Sequence, residues 1–341
     1  MTLGLALLGT GRIAESAFVP AIHAVDGARL VAVLSRDQGR ATAFAQQYNI
    51  PAAYDNLATL LQDPQVDAVI VATPDATHEP QVIAAAQAGK HVLCEKPLTT
   101  TYAGCERMAA AVRASGVTFA MGYNNRFNTA LQRIAALLQE GQIGQVRYAR
   151  ALLTSQMQDP RGWRAQSEQA RYWALSAVGT HLIDLWRWYF GDPASVGGAL
   201  VAPVHHGPHE EVATLILDYP DRLLAEVCVS VVFRGGNRLE LYGDDGAIIG
   251  EGLFGSRPGG TFTCKGCTIT CQAANPFMEE VADFVQAIQQ QRQPRVTLED
   301  GLRNVSIMEV ARLQSGIAKL SPASEEKVAY AVPRQSHISS G

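Results

Sequence analysis

The sequence predicts a two-domain α/β protein: a doubly wound parallel sheet first, then an α+β domain with an open, mainly antiparallel sheet. Three observations carry that reading. Through residues 1–120, short and continuously apolar runs alternate with Ala-rich helical segments, the pattern of a parallel sheet covered on both faces. Beyond them, β-like runs follow one another across glycine-containing turns, the pattern of an antiparallel sheet. At 341 residues the chain is also too long for one ordinary core.

The first strands are expected at Leu5–Leu8, Leu30–Leu34, Val66–Ala72, His91–Glu95 and Val117–Met121, with helical spacing between them at segments such as Gln81–Ala88 and Glu106–Arg113. The apolar start, Met1 to Leu8, has no basic leader and runs straight into a glycine turn, so it reads as a buried strand and not a signal peptide. In the second half, strands are expected at Val146–Leu153, Val212–Asp218, Leu223–Val231, Arg238–Tyr242 and Thr261–Thr270. Helices are expected at Thr129–Glu140, Ala177–Phe190, Met278–Gln290 and Glu299–Gly316. The resulting division is residues 1–123, residues 124–325, and a polar, Ser-rich tail over 326–341 that is expected to fray.

Composition narrows the function classes. Hydrophobic residues make up 47% of the chain and the net charge is only −4, so there is no polyanion-binding surface and nucleic acid is not an expected partner. No apolar run reaches the roughly 18 to 20 residues of a membrane span. The six cysteines (94, 105, 228, 264, 267 and 271) are scattered. A chain of this size needs no disulfide staples, which points to reduced thiols in the cytoplasm.

The first chemical motif is Gly9-Thr10-Gly11-Arg12-Ile13-Ala14, between the first strand and a helix. Two glycines permit a tight turn and close approach of a diphosphate to the backbone, and the helix start presents free N–H groups to that anion. A glycine turn alone often only reverses the chain; inside a βαβ unit it is the Rossmann fingerprint of a nicotinamide dinucleotide site. The end of the second strand bears on which cofactor. An Asp or Glu there would bond a ribose 2′-hydroxyl and favour NAD. Here Ser35 and Arg36 stand ready for a 2′-phosphate, with Arg40 a helical turn on, so NADP is favoured. Asp37 is the opposing signal: it could take the hydroxyl or pair with Arg40, and the whole charged run could be a solvated helix start.

Four further motifs converge: Val69 to His78 with its Thr73-Pro74 turn, Gly89 to Leu98 with Glu95-Lys96-Pro97, Gly122 to Phe127 with Asn124 and Arg126, and Gly179-Thr180-His181-Leu-Ile-Asp184. Together they resemble the Gfo/Idh/MocA oxidoreductases over nearly the whole chain. Within that family the Ser35–Arg40 spacing and the Gly162-Trp163-Arg164 run look most like the 1,5-anhydrofructose reductase branch. The resemblance implies a Rossmann domain followed by an α/β domain whose open sheet joins subunits into homodimers or homotetramers. It also implies that Gly9, Thr10, Gly11, Arg12, Ile13, Ser35, Arg36, Arg40, Thr73, Pro74, His78, Glu95, Lys96 and Asn124 bind the cofactor, NADP or NAD, with Trp163 and Arg164 reaching it from the second domain. The substrate class implied is a small carbohydrate-like molecule.

Oxidising a secondary alcohol needs a group that takes the hydroxyl proton as hydride leaves. His181 suits this, since an unperturbed imidazole titrates near neutrality and works in both directions. Lys96, at a strand end, would polarise a carbonyl or steady an alkoxide. Asp184, three residues on from His181 in a helix, would orient the imidazole or satisfy a buried backbone group. Each also has a plain reading: a packed core histidine, a solvated lysine, and for Arg126 a simple salt bridge.

One departure from the family pattern matters. The family writes Asp-x-Gly-x-His, and here the first position is Ala177, preceded by Arg171-Tyr172-Trp173 instead of a glycine-rich turn. The expected activity is therefore hydride transfer between a nicotinamide and a sugar, polyol or related cyclic alcohol or ketone. The alternative is a cofactor-binding sensor that has lost catalysis. Cys264-Lys-Gly-Cys267-Thr-Ile-Thr-Cys271 reads as a hairpin in preference to a metal site, which would need a fourth ligand. His205 to Glu211 reads as a polar loop.

Overall fold

The computed structural model describes residues 2–156, 162–165, 170–255 and 259–315. The tail expected over 326–341 and the Gly316 end of the last helix lie outside them.

Strands with apolar side chains on both faces must be covered on both faces. β1 (Leu3–Leu8), β2 (Ala28–Leu34), β3 (Ala52–Tyr54), β4 (Ala68–Val71), β5 (His91–Glu95) and β6 (Phe119–Gly122) pair in parallel in the order β3-β2-β1-β4-β5-β6. Every residue of β1 and β4 is buried. The covering helices are α1 (Val19–Ala24), α2 (Gln38–Tyr48), α3 (Leu57–Leu61), α4 (Asp75–Gln87) and α5 (Tyr102–Ser115). Several start on side-chain caps: the Asp37 carboxylate accepts from Arg40 N–H at α2, and Thr101 Oγ1 accepts from Gly104 N–H at α5, each satisfying an otherwise orphaned donor. Strand order reverses between β1 and β4, which opens a crevice beyond their carboxyl ends.

The second unit packs α6 (Thr129–Gln139) and α7 (Thr180–Phe190) on one face of an eight-stranded sheet. Its strands are β7 (Val146–Thr154), β8 (Ser195–Val201), β9 (Val212–Tyr219), β10 (Leu223–Ser230), β11 (Asn237–Gly243), β12 (Gly246–Glu251), β13 (Gly260–Cys264) and β14 (Cys267–Cys271). Their order is β14-β13-β12-β11-β7-β10-β9-β8, antiparallel throughout except that β7 and β10 run parallel. Alternation sets the faces: Ala213, Leu215 and Leu217 of β9 join Leu182, Leu185 and Trp186 of α7 in the core, while Ile216 and Asp218 point the other way and are exposed.

Three strands had no signal in the sequence reading. β3 is only three residues, and β8 and β12 each carry two glycines, so none shows a run of alternating apolar side chains. Packing explains one of those glycines: a Cβ on Gly198 would lie 2.2 Å from the Thr214 carbonyl oxygen. Thr261–Thr270 divides into β13 and β14 around Lys265-Gly266, both in the left-handed region at φ 50° and 78°, which is hairpin-turn geometry.

The expected second unit, 124–325, is corrected in one respect. α8 (Pro276–Gln290) returns to the first sheet, where Phe277, Val281, Phe284 and Val285 share a core with Leu5, Leu7, Phe18 and Ile22. The first part of α9 (Leu298–Gln314) does the same, with Leu298, Leu302 and Val305 beside Val92, Met121 and Tyr123. Helical periodicity announces that a face must be buried, but not against which sheet.

If α8 is part of the first core, Phe284→Ala should cost about 3–5 kcal/mol. That loss is read as a lower urea midpoint by circular dichroism; an unchanged midpoint would detach α8 from the core.

Candidate functional site

A large cavity lies where the parallel strands end and the second unit leans over them. It encloses about 1170 Å³, above the roughly 300–1,000 Å³ of ordinary small-molecule sites, so it has room for a dinucleotide and a substrate together. Arg12, Arg36, Arg40, Lys96 and Arg164 line it, against the carboxyls of Asp75 and Glu95. A protein of net charge −4 therefore presents a cationic cavity, which selects an anionic ligand.

The glycine turn follows β1, with Gly9 N–H bonded to the Leu34 carbonyl (2.9 Å). Gly9 sits at φ 111°, and a Cβ there would come within 2.7 Å of the Ala72 carbonyl oxygen. Gly11 differs: a Cβ would meet nothing within 4 Å, because that side faces the cavity. A backbone with open space over it at the start of a helix is a cradle for a diphosphate. The helix then passes through a π-type turn at Ala14–Phe18 before α1.

At the end of β2, Ser35, Arg36 and Arg40 all line the cavity. Asp37 does not; its carboxylate caps α2, accepting from Arg40 N–H at 2.7 Å. The side chain that argued for NAD is thus used locally, and two guanidinium groups face the cavity beside the Ser35 hydroxyl.

The other end of the cavity joins Glu95 from β5 and Lys96 just after it, Asn124 from after β6, Trp163 and Arg164, and His181 from α7. Lys96 Nζ donates to the carbonyls of Ser176 (3.1 Å) and Ala177 (2.9 Å), and Glu95 Oε2 accepts from the Lys96 N–H (3.0 Å). Burial, aided by the Arg164 charge, pushes the Lys96 ammonium down to about 8 despite the nearby Glu95 and Asp75 carboxylates. The Arg164 guanidinium stacks over the Trp163 ring at 4.1 Å.

Thr10, Ile13, Thr73 and Pro74 also line the cavity, and Thr73 Oγ1 donates to Gln81 (2.6 Å). Three expectations change. His78 is wholly buried and does not line the cavity; its ring nitrogens lie 2.9 Å from the Pro97 and Thr73 carbonyls, so it pins two cavity turns from behind. Asp184 does not reach His181 either. Its carboxylate takes a two-pronged bond from Arg126 (2.8 and 2.7 Å) and one from Asn304 (3.3 Å), because the helix turns it toward the buried guanidinium. His181 was expected to titrate near neutrality, but burial, then the Lys96 and Arg164 charges, hold its imidazole well below the ordinary value. That shift favours the neutral imidazole, and its Nδ1 has no hydrogen-bond partner among the described residues.

Sequence reading passed over Asp75, Gln81, Asn125 and Ser155 in the cavity wall. Asp75 sits inside the Thr73–His78 motif and was legible there; Ser155, just past β7, arrives only through the tertiary fold. It also missed Glu210, whose Oε1 accepts from Trp173 and Leu175 N–H (3.0 and 2.8 Å) and so holds the segment leading to Ala177.

A dinucleotide-binding crevice facing a cationic, lysine- and histidine-bearing pocket defines a nicotinamide-dependent oxidoreductase scaffold. The comparisons agree. Residues 3–123 match the oxidoreductase family with an NAD-binding Rossmann fold, and residues 131–249 match the GFO/IDH/MocA C-terminal domain. The chain is 28% identical over 304 residues to 1,5-anhydro-D-fructose reductase of Ensifer adhaerens, covering 87% of this chain and 91% of that protein. It is 31% identical over 250 residues to inositol 2-dehydrogenase of Acidothermus cellulolyticus, covering 72% and 71% respectively. The glycerol complex of aldose-aldose oxidoreductase from Caulobacter crescentus superposes with a TM-score of 0.86 at 26% identity, over 92% of this chain and 98% of that one. The chain belongs to the Gfo/Idh/MocA oxidoreductase family.

Gly11 gives a test of the cradle. With open space above it and no positive φ, Gly11→Val should leave the apoprotein's stability within about 0.5 kcal/mol while weakening dinucleotide binding. Tight binding by the variant in calorimetry would move the diphosphate elsewhere.

Proposed function

We propose that this protein is an NADP-dependent oxidoreductase that passes hydride between the nicotinamide and a sugar, polyol or related cyclic alcohol or ketone. The observation that carries the reading is one continuous cavity with Ser35, Arg36 and Arg40 at one end and Lys96 and His181 at the other. Two arginines beside a hydroxyl suit a 2′-phosphate, and the relatives acting on anhydrofructose and inositol support a carbohydrate-like substrate. Asn124, Asn125 and Ser155 supply neutral hydrogen-bonding groups suited to ring hydroxyls.

The bound cofactor supplies hydride chemistry; the chain's own residues handle position and protons. Neutral His181 accepts the hydroxyl proton in oxidation, and the Lys96 ammonium holds the substrate oxygen as negative charge develops. Reduction runs the same contacts backward. Among the cysteines all six are free thiols, which supports a reducing compartment such as the cytoplasm. The uncovered face of the second sheet, with Ile216, Leu224 and Tyr242 exposed, supports pairing of two copies, to be checked by light scattering.

Ala177 sustains a second reading, a sensor that binds NADP without turnover. Nicotinamide absorbance over a panel of sugars, keto-sugars and polyols separates the two. On the enzyme reading some member turns over, and Lys96→Met and His181→Ala each slow it by about 10²–10⁴-fold. Tight NADP binding with no turnover of any member would favour the sensor, and undiminished turnover in His181→Ala would remove that residue from the chemistry.

Cofactor choice is read by melting shifts at equal NADP and NAD concentration. The larger shift is expected with NADP, and Arg36→Ala with Arg40→Ala should abolish the difference. A larger shift with NAD in the wild type would overturn the assignment.

A further inference from the structure

The polar run at residues 205–211 ends in two buried carboxyls that serve different segments. Glu211 accepts from the Val204 and His205 N–H groups (both 2.7 Å). Its own N–H donates to the Val201 carbonyl (2.9 Å), and its carbonyl accepts from Val231 N–H (3.0 Å). Glu210 is thereby fixed at the entry to β9, and its bonds run to the segment before α7.

That segment lacks a cap of its own. A π-type turn at Leu175–Gly179 leads into α7, and the residue at its N-cap position, Ala174, makes no side-chain cap bond. The first N–H groups of a helix are orphaned donors, and here one residue takes three in succession. Glu210 Oε1 accepts from Trp173 (3.0 Å) and Leu175 (2.8 Å), and the Glu210 carbonyl accepts from Ala174 (3.0 Å). A carboxylate at a helix start is favoured by the dipole, which helps offset the cost of burying it.

The two residues that follow hold Lys96, whose Nζ donates to the Ser176 and Ala177 carbonyls. Ala177, Val178 and His181 then line the cavity. Every link from Glu210 to the ammonium is thus a hydrogen bond or a peptide unit.

We propose, resting on the oxidoreductase reading, that Glu210 is the positioning residue for Lys96: it caps the turn from outside the helix and so aims the two carbonyls that hold the ammonium. It does not line the cavity, so it acts on the chemistry only through that turn.

The test uses the full-length protein without substrate and reads both ends of this chain of bonds. Hydrogen exchange by mass spectrometry reads the amides of residues 173–175. Limiting acetic anhydride labels amines in proportion to their unprotonated fraction, and the Lys96 peptide reads its midpoint, expected at about 8 in the wild type. Glu210→Ala should speed exchange of the amides by about tenfold. It should also lower the midpoint by about one pH unit, because a buried ammonium with misaimed acceptors loses its proton more easily. Glu210→Gln keeps an acceptor oxygen and should retain both readings. A cap that serves stability alone would lower the melting temperature and leave the Lys96 midpoint in place, which overturns the proposal. A midpoint shifted equally in Glu210→Gln would make the effect one of charge and overturn it as well. Should Glu210→Ala fail to fold, Lys96→Met supplies the reciprocal reading: released from the ammonium, the turn should exchange the same amides faster, and unchanged protection overturns the coupling. Neither readout uses turnover, so failure of the sugar panel and failure of this positioning are separate results.

Discussion

The arrangement rests on one buried guanidinium. Arg126 leaves the loop after β6 and bonds Asp184 of α7 and Asp300 of α9. Asp300 at the same time closes the capping box that starts α9 on Thr297, and Arg187 of α7 joins through the Asp300 carbonyl (3.1 Å) and Asn304 (3.3 Å). Asp184 is 1% exposed and Arg126 11%, so the pair is held where a broken partnership leaves a stranded charge, a loss of about 3–5 kcal/mol. Such a pair contributes less to net stability than its geometry suggests, since both ions were desolvated to make it. What it contributes is position. Three segments from distant parts of the chain are fixed to one another, and α7 is the one that carries His181.

The location of His181 relative to Lys96 follows from that junction and from a second one. Tyr123, fully buried, shares a hydrogen bond with Thr180 Oγ1 (2.7 Å) and places its ring edge-on to His181 at 6.1 Å. Lys96 reaches the other way, across the two units, to the Ser176 and Ala177 carbonyls. The cavity is thus closed by contacts that run in both directions between a parallel sheet and a helix of the other unit. None of these groups requires a ligand to be held in place, which is the preorganisation an electrostatic site depends on.

How much of this was legible in the sequence depended on whether the determinant was local. The strand–turn–helix signal around Gly9 and Gly11 is local chemistry, and the structure places both where it implied. Ser35, Arg36 and Arg40 were read as a group, and they share one wall of the cavity. Helical spacing offered Asp184 either the imidazole or a buried backbone group, and it meets neither: i and i+3 share a broad face, and the buried Arg126 decided which neighbour the carboxylate met. His78 shows the same limit, since a motif position says that a residue matters near a site and not on which side of the wall it stands. α8 was located almost to the residue, yet its partner sheet was not, because an amphipathic stripe records the need for burial and leaves the burying surface to topology.

Ala177 changes the division of labour in the pocket more than its size suggests. In a pocket with a third carboxylate beside the histidine, a single imidazole near neutrality serves as acid and base. Here the half-buried imidazole sits in the cavity wall with its pKa held down by desolvation and by the Lys96 and Arg164 charges, so it is suited to accept a proton and poorly suited to keep one. The lysine, with its charge weakened to a midpoint of about 8, becomes the group whose protonation responds to physiological pH. Raising the pH through that midpoint removes the one lysine ammonium that lines the cavity among the described residues, whereas lowering it toward neutrality leaves His181 uncharged. On the proposed chemistry the acidic and basic functions are therefore divided between two side chains on two domains, and the junction at Arg126 that holds those domains in register becomes part of the acid–base apparatus.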